Sequence, residues 1–497
     1  MIHDIKQTLL CCLREGVAAL QSPLTVMAGP REVFHVAILP WLAFGHMIPF
    51  LHLAVALATA GLRVSFLSAP GNTRRLPKVP PQLSSLIQFI DLPLPPVDGL
   101  PEDAEATVDV SFDEQQYLKI AYDSLRVPIR HFVEHQSPDY ILHDFIPYWI
   151  VDIGREFDVP CVFFSVYSAA AISFFGPPES MTEDGQKRWW PSPESMTVKP
   201  DWVPFPSAVA FRLSEAEIFY PGAINVNASG VSDIERLRVS VEGCTAVAWR
   251  SCREYEGEYL QLLEKLYRKP VIPIGLLPPE SPPESKSKDG WGKIFKWLDM
   301  QKPRSVVFVS FGSELKLSEN QVHELAHGLE MSNVPFLWAL RRPAWVTGQD
   351  EEALPEGFVG RTAGRGVVSF GWAPQLEILA HPSVGGSFFH SGWGSVIETL
   401  GHGHVLVVLP TIFDQGLNAR LLVEKGLAIE AEKNEDGSFN RNTIAKSLVT
   451  AMIEEEGEAV RSKAREMGAV FSDRALHDEY VKGFIDYLLK SDNKSVN

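Results

Sequence analysis

Cysteine is scarce in this sequence, with five in 497 residues. Cys11 and Cys12 are adjacent, and Cys161, Cys244 and Cys252 are scattered. An odd count without a CxxC pair excludes a disulfide framework and suits a reducing compartment, so a cytoplasmic location is expected. Basic charge is also short. Lys and Arg number 45 against 62 Asp and Glu, a net charge of −17, which denies nucleic acid or an anionic membrane the basic face each needs. A small anionic ligand stays open, because helix ends and histidines bind one locally. No apolar run reaches the ~18 residues of a membrane span. No strand is followed by GxGxxG, and there is no Walker GxxxxGK[ST] and no GxSxG elbow. Nicotinamide dehydrogenase, P-loop and serine-hydrolase readings therefore lose their usual support.

The composition that remains is globular, 45% hydrophobic and 22% charged, and the length predicts two domains rather than one core. The apolar run TLLCCL near the start is flanked by Asp4 and by Arg14–Glu15, which makes a poor signal peptide. Met27 opens MAGPREVFHVAILP, a natural start ahead of a first strand. Residues 1–26 are therefore expected to be an extension outside the fold or an upstream translation artefact. In such a setting the sequon at Asn227 is accidental.

Residues 34–39 (FHVAIL) read as a strand buried on both faces, as in a parallel sheet. The turn PWLAFGH follows, then a helix expected from about Met47–Pro49, then the strand RVSFLSA. This βαβ opening predicts an α/β, doubly wound domain. The turn carries Gly45 and His46. An imidazole at a helix N-terminus is pushed toward its neutral form, the form a general base requires, although a histidine that merely caps the helix fits equally. SPDYILHDF ends a strand on Asp144, on the same rim as His46. There it can hold the imidazole tautomer or simply be a solvated strand-end acid. Residues 175–235 are rich in Pro, Trp and Ser and suit loops and short helices lining a pocket.

AVAWRSC reads as the last strand of the first half. Residues 270–293 concentrate Pro, Ser and Lys and read as a linker. The α/β rhythm restarts with SVVFVSFGSE, whose Gly312–Ser313 turn lets a phosphate approach. One decoy intervenes: HELAH, His323 to His327, matches the zinc-protease HExxH. No third ligand or metalloprotease context accompanies it, so a solvated helix face is expected.

Residues 372–415 concentrate the chemistry. Trp372 follows the strand GVVSFG and can stack on a flat base, worth on the order of 1–3 kcal/mol. FFHSGWGS reads strand, Gly-rich turn, helix. Backbone N–H groups at the helix start, with the Ser395 hydroxyl and His390, can bind a diphosphate without a metal. Glu398, one turn on, can accept from ribose hydroxyls. Asp414 and Gln415, past the next buried strand, suit vicinal sugar hydroxyls.

This segment resembles the signature box of the plant UDP-sugar-dependent glycosyltransferases. It keeps WAPQ, His381, the HxGW turn, Glu398 and the closing DQ. The resemblance extends from Met27 to the end of the chain and includes PWLAFGHMIPF, HDF and the FGS turn. It implies an inverting enzyme of GT-B fold, with two Rossmann-like domains facing across a cleft. Residues 27–269 would bind acceptor and residues 294–470 the UDP-sugar, on either side of the linker. Residues 471–497 would form a helix packing back on the first domain. It implies His46 as base and Asp144 as its partner. Trp372 would stack on uracil with Ala373 offering its backbone, and Gln375 and Glu398 would hold ribose. Ser313, His390 and Ser395 would hold phosphate, with Gly45 and Gly394 lining the donor site. Trp393, Asp414 and Gln415 would contact the sugar. No metal or other cofactor, no nucleic acid and a monomer are implied.

PWLAFGHMIPF, HSGWGS and DQGLNARLL look most like the branch that extends sugar chains on flavonoid, terpenoid or steroid glycosides, which includes UDP-rhamnose:rhamnosyltransferases. Direct glucosylation of an aglycone hydroxyl is the alternative. Three positions depart from the usual box: Ser391 for Cys, Gly394 for Asn and Val405 for Pro. The missing amide at Gly394 leaves the donor open between glucose and rhamnose.

Overall fold

The computed structural model describes residues 33–182, 190–279 and 291–492. The expected extension over residues 1–26 lies outside them, as do residues 280–290 of the expected linker and the last five residues of the chain.

Strand β1 (His35–Leu39) is wholly buried, as its unbroken apolar run requires. It is followed by α1 (Phe44–Thr59) and β2 (Arg63–Ser68). The helix starts at Phe44, earlier than expected, which puts His46 in its first turn and Pro49 in its second. Pro49 leaves the Gly45 carbonyl without its helical partner, but Gly45 is exposed and solvent can serve it. At the other end Gly61 has φ +90°. Its N–H reaches Ala58 O at 2.9 Å and that of Leu62 reaches Leu57 O at 3.1 Å. That glycine-dependent cap ends the helix and turns the chain into β2.

The first sheet continues through β3 (Ile87–Asp91), β4 (Tyr140–His143), β5 (Cys161–Ser165), β6 (Ala246–Trp249) and β7 (Val271–Pro273). All pairings are parallel, in the order β3-β2-β1-β4-β5-β6-β7. AVAWRSC is therefore not the last strand. The sheet runs on into the stretch read as linker, whose residues 271–273 form an edge strand, the place in a sheet where Pro273 is tolerated.

The second sheet comprises β8 (Val306–Ser310), β9 (Phe336–Leu340), β10 (Gly366–Phe370), β11 (Val384–Phe389), β12 (Val405–Val408) and β13 (Ala428–Glu430). It too is parallel, ordered β10-β9-β8-β11-β12-β13. Both sheets are thus doubly wound, as the sequence predicted. Each reverses strand order beside its first strand, between β1 and β4 and between β8 and β11. Open parallel sheets bind ligands at the carboxyl ends of the strands flanking such a reversal.

One apolar cluster joins the two domains, with Phe163 and Trp249 from the first and Phe389, Trp393 and Leu406 from the second. Polar clamps flank it. Lys316 Nζ donates to Val110 O at 2.7 Å, and Arg420 holds both Glu215 oxygens at 3.0 and 2.8 Å. The final helix, Arg474–Asp492, returns to the first domain. There Leu276 N donates to His477 Nδ1 at 3.3 Å, and the Tyr480 hydroxyl bridges Arg253 N and Glu254. Cys161, Cys244 and Cys252 are free, buried thiols.

The HELAH motif lies on the helix Glu319–Ser332. Glu324 accepts from Arg441 N at 2.7 Å and Arg441 Nε at 3.1 Å, so its carboxylate joins this helix to the start of the helix Arg441–Met452. Among the described residues the grouped metal-capable side chains are His131, Glu134 and His135, all exposed and remote in sequence from that motif.

Candidate active site

His46 and Asp144 meet at the reversal point of the first sheet. Asp144 is 1% exposed and directly follows β4. Its Oδ2 accepts from His46 Nδ1 at 2.7 Å and from Trp41 N at 3.1 Å, and its Oδ1 accepts from Phe145 N at 2.8 Å. Three donors thus fix the carboxylate. Because Nδ1–H is given to Asp144, Nε2 is the basic atom of the neutral ring. It lies 3.2 Å from the Tyr167 hydroxyl, whose ring stands edge-on to the imidazole with centroids 5.2 Å apart. Burial, with Asp144 and Asp414, pushes the Tyr167 phenol well above its usual range, so it keeps its proton.

The helix start was expected to favour neutral His46, but the structure points the other way. Burial pulls its pKa down, yet the charge and hydrogen bond of Asp144 outweigh that, helped by Asp414 and Glu314, and the net shift is upward. The latter two carboxylates come from the second domain, beyond the reach of a local reading.

The second reversal point gathers the phosphate candidates. Ser313 follows β8 and His390 follows β11. The His390 ring is wedged between two glycines: a Cβ on Gly312 would lie 2.7 Å from its Cε1, and one on Gly392 would lie 2.7 Å from its Nε2. Gly312 also has φ +70°. Burial lowers the His390 pKa to about 4, so the ring is neutral and offers an N–H rather than a charge. Its Nδ1 is buried without a hydrogen-bond partner among the described residues. Gly392 caps the helix Trp393–Leu400, which places Gly394 and Ser395 in the first turn, where N–H groups lack helical acceptors.

The Trp393 indole is turned inward. It is 4% exposed, stacks on Tyr255 at 5.6 Å, and donates to Arg250 O at 2.9 Å. What it leaves at the helix start is a backbone N–H. Trp372 is the opposite case, 79% exposed after Gly371 with φ +94°, and free to receive a planar ligand. Ala373 packs against the apolar cluster that includes Trp297, Leu298 and Ile378. Gln375 Nε2 donates to Glu398 Oε2 at 2.6 Å, which aligns the two as a pair. Burial raises the Glu398 pKa against the pull of Gln375 and Arg250.

Asp414 and Gln415 begin the helix that follows β12. Gln415 Oε1 accepts from Thr411 N, Thr411 Oγ1 and Ile412 N at 3.0, 3.1 and 3.0 Å, which leaves the amide N–H groups to a ligand. Asn418 donates to Asp414 Oδ2 at 2.8 Å and to Ser391 O at 3.1 Å, while its Oδ1 accepts from Ser168 of the first domain at 2.6 Å. Gly45 is exposed, and a Cβ there would meet nothing within 4 Å.

Tyr167, Glu314, Asn418 and Arg250 escaped the sequence reading. Tyr167 lies just past β5, Glu314 just past the FGS turn, and Arg250 directly after β6, so the rule that found Asp144 would have found them. Thr107 Oγ1 of the first domain donates to Glu314 Oε1 at 3.0 Å. The described residues thus supply a carboxylate-oriented imidazole, a Gly-rich helix start with free N–H groups and an exposed indole. Proton removal beside a bound phosphate ester is the chemistry it provides for.

The family model described as "UDP-glucoronosyl and UDP-glucosyl transferase" matches residues 286–456. UDP-glycosyltransferase 91C1 of Arabidopsis thaliana is 43% identical over 94% of this chain and 98% of its own length. Soyasaponin III rhamnosyltransferase of Glycine max is 41% identical over 92% and 95%. Among solved structures, Medicago truncatula UGT71G1 complexed with UDP-glucose covers 93% of this chain and 100% of its own, with TM-score 0.71 and 23% identity, a likeness of fold. With this GT-B architecture and these relatives, the chain belongs to the plant UDP-glycosyltransferases.

Proposed function

We propose that this enzyme transfers glucose or rhamnose from UDP to a hydroxyl of a plant secondary-metabolite glycoside of flavonoid, terpenoid or steroid type, forming a sugar–sugar bond with inversion. The observation that carries the chemistry is the 2.7 Å His46–Asp144 bond, which leaves Nε2 as base. The reading of a glycosylated acceptor is supported by the soybean relative, a rhamnosyltransferase by name.

In this reading the acceptor hydroxyl displaces the Tyr167 phenol from Nε2. His46 takes the hydroxyl proton, and Asp144 stabilises the imidazolium. The acceptor oxygen bonds to the anomeric carbon from the face opposite UDP, and the bond from that carbon to the diphosphate oxygen breaks, its electron pair leaving with UDP. Ser313, Ser395, His390 and the helix-start N–H groups receive the developing phosphate charge, so the step needs no metal. Trp372 stacks on uracil beside the Ala373 backbone. Gln375 and Glu398 hold ribose. Asp414, the Gln415 amide and the Trp393 N–H hold the sugar.

A panel of UDP-glucose and UDP-rhamnose against an aglycone and its monoglucoside, with products identified by mass spectrometry and NMR, tests the reading. The glucoside should be the better acceptor and yield an inverted disaccharide. Faster turnover of the aglycone would mean direct aglycone glucosylation instead.

A further inference from the structure

We propose that Arg250 is a donor-binding residue, its guanidinium reaching from the first domain to the diphosphate and taking the place of the side-chain amide that Gly394 lacks. This rests on the reading of the helix start as the diphosphate cradle.

Arg250 directly follows β6 at the carboxyl edge of the first sheet and is 3% exposed. Its backbone is pinned on both sides: its N–H donates to Ser165 O at 3.1 Å, and its carbonyl receives the Trp393 indole N–H at 2.9 Å. The residue is thereby fixed against the first turn of the helix Trp393–Leu400. Nε donates to Leu276 O at 2.8 Å, and Nη2 makes a long contact of 3.5 Å to Leu277 O. Among the described residues Nη1 has no hydrogen-bond partner and no carboxylate forms an ion pair with the group, whose side-chain partners are the two carbonyls. Glu398 acts on it only through space, and burial lowers its pKa to about 10. A buried cation held by carbonyls alone is costly, and a cation beside a helix N-terminus, itself a positive pole, is more so. An anion lying between the two reverses both penalties.

The position of Nη1 identifies where that anion would lie. A Cβ on Gly394 would have one heavy atom within 4 Å, Arg250 Nη1 at 3.8 Å. The guanidinium edge therefore borders the space that a longer side chain at 394 would enter. His52, which also faces Arg250, has its pKa lowered to about 3 by burial and by that charge, so it remains neutral and does not compete. A planar fork of N–H donors suits a diphosphate better than the single amide it replaces.

Isothermal titration of UDP and of uridine into the wild type, Arg250→Met and Arg250→Lys separates this role from a brace on Leu276 and Leu277. Uridine lacks the phosphates and reports the base and ribose contacts alone. UDP affinity should fall about tenfold or more in Arg250→Met while uridine affinity holds, and Arg250→Lys should lower the UDP-to-uridine affinity ratio several-fold. Adding Gly394→Asn to Arg250→Met should restore part of the UDP affinity. If Arg250→Met does not fold, the Arg250→Lys ratio decides alone. A ratio equal to wild type in a folded variant would overturn the proposal. A wild type that binds UDP no better than uridine would overturn the cradle reading and the proposal together.

Discussion

The Tyr167 hydroxyl lies 3.2 Å from Nε2 of His46, the imidazole nitrogen that Asp144 leaves unengaged. The phenol keeps its proton, so it donates to Nε2 and holds the place an acceptor hydroxyl must take. Tyr167→Phe removes that competitor and keeps the ring. The acceptor KM should fall a few-fold with the donor KM unchanged. A rise in acceptor KM would show instead that the phenol binds the acceptor.

The pH profile follows from the direction of the His46 shift. A general base works deprotonated, so activity should rise with pH through the His46 pKa. Burial lowers that pKa, but Asp144, Asp414 and Glu314 raise it above the ordinary 6.5. The acid limb of kcat/KM for acceptor, at saturating donor, should therefore fall above pH 6.5. Glu314→Gln removes one raising charge and should move the limb to lower pH. A limb that stays in place would remove Glu314 from the electrostatics of the base.

Asp144 accepts three hydrogen bonds, two of them from backbone N–H groups. Asp144→Asn preserves the shape but removes the charge that orients and stabilises the imidazolium. Turnover should fall by about 10²–10⁴-fold with UDP affinity within about twofold. Equal losses in turnover and in UDP affinity would point to a structural role.

Gly312→Ala brings a Cβ to 2.7 Å from the His390 ring at φ +70°. The backbone strain alone costs on the order of 1–2 kcal/mol, and the ring must also shift. Thermal denaturation should register the loss, and UDP affinity should fall with it. Wild-type values for both would mean that His390 has room to move and does not depend on the glycine.

The opening βαβ unit, His46, Asp144 and the box from Trp372 to Gln415 were legible because each rests on a local pattern: an apolar run, a turn, and a polar residue at a strand end. β7 was not, because its three residues sit in a Pro-rich stretch. β3 was not, because only Ile87 of its five residues is buried. The His46 shift could not be read at all, since Asp414 and Glu314 are brought to it by tertiary folding from over 250 residues away. The inward turn of the Trp393 indole likewise depends on Tyr255 and Arg250 across the domain boundary.

In the proposed function His46 supplies the base and the second domain supplies the donor site. His46→Ala, assayed for glycosyl transfer and in parallel for UDP binding, tests both at once. Transfer should fall by about 10²–10⁴-fold while UDP binds as in the wild type. Transfer at near wild-type rate would contradict it.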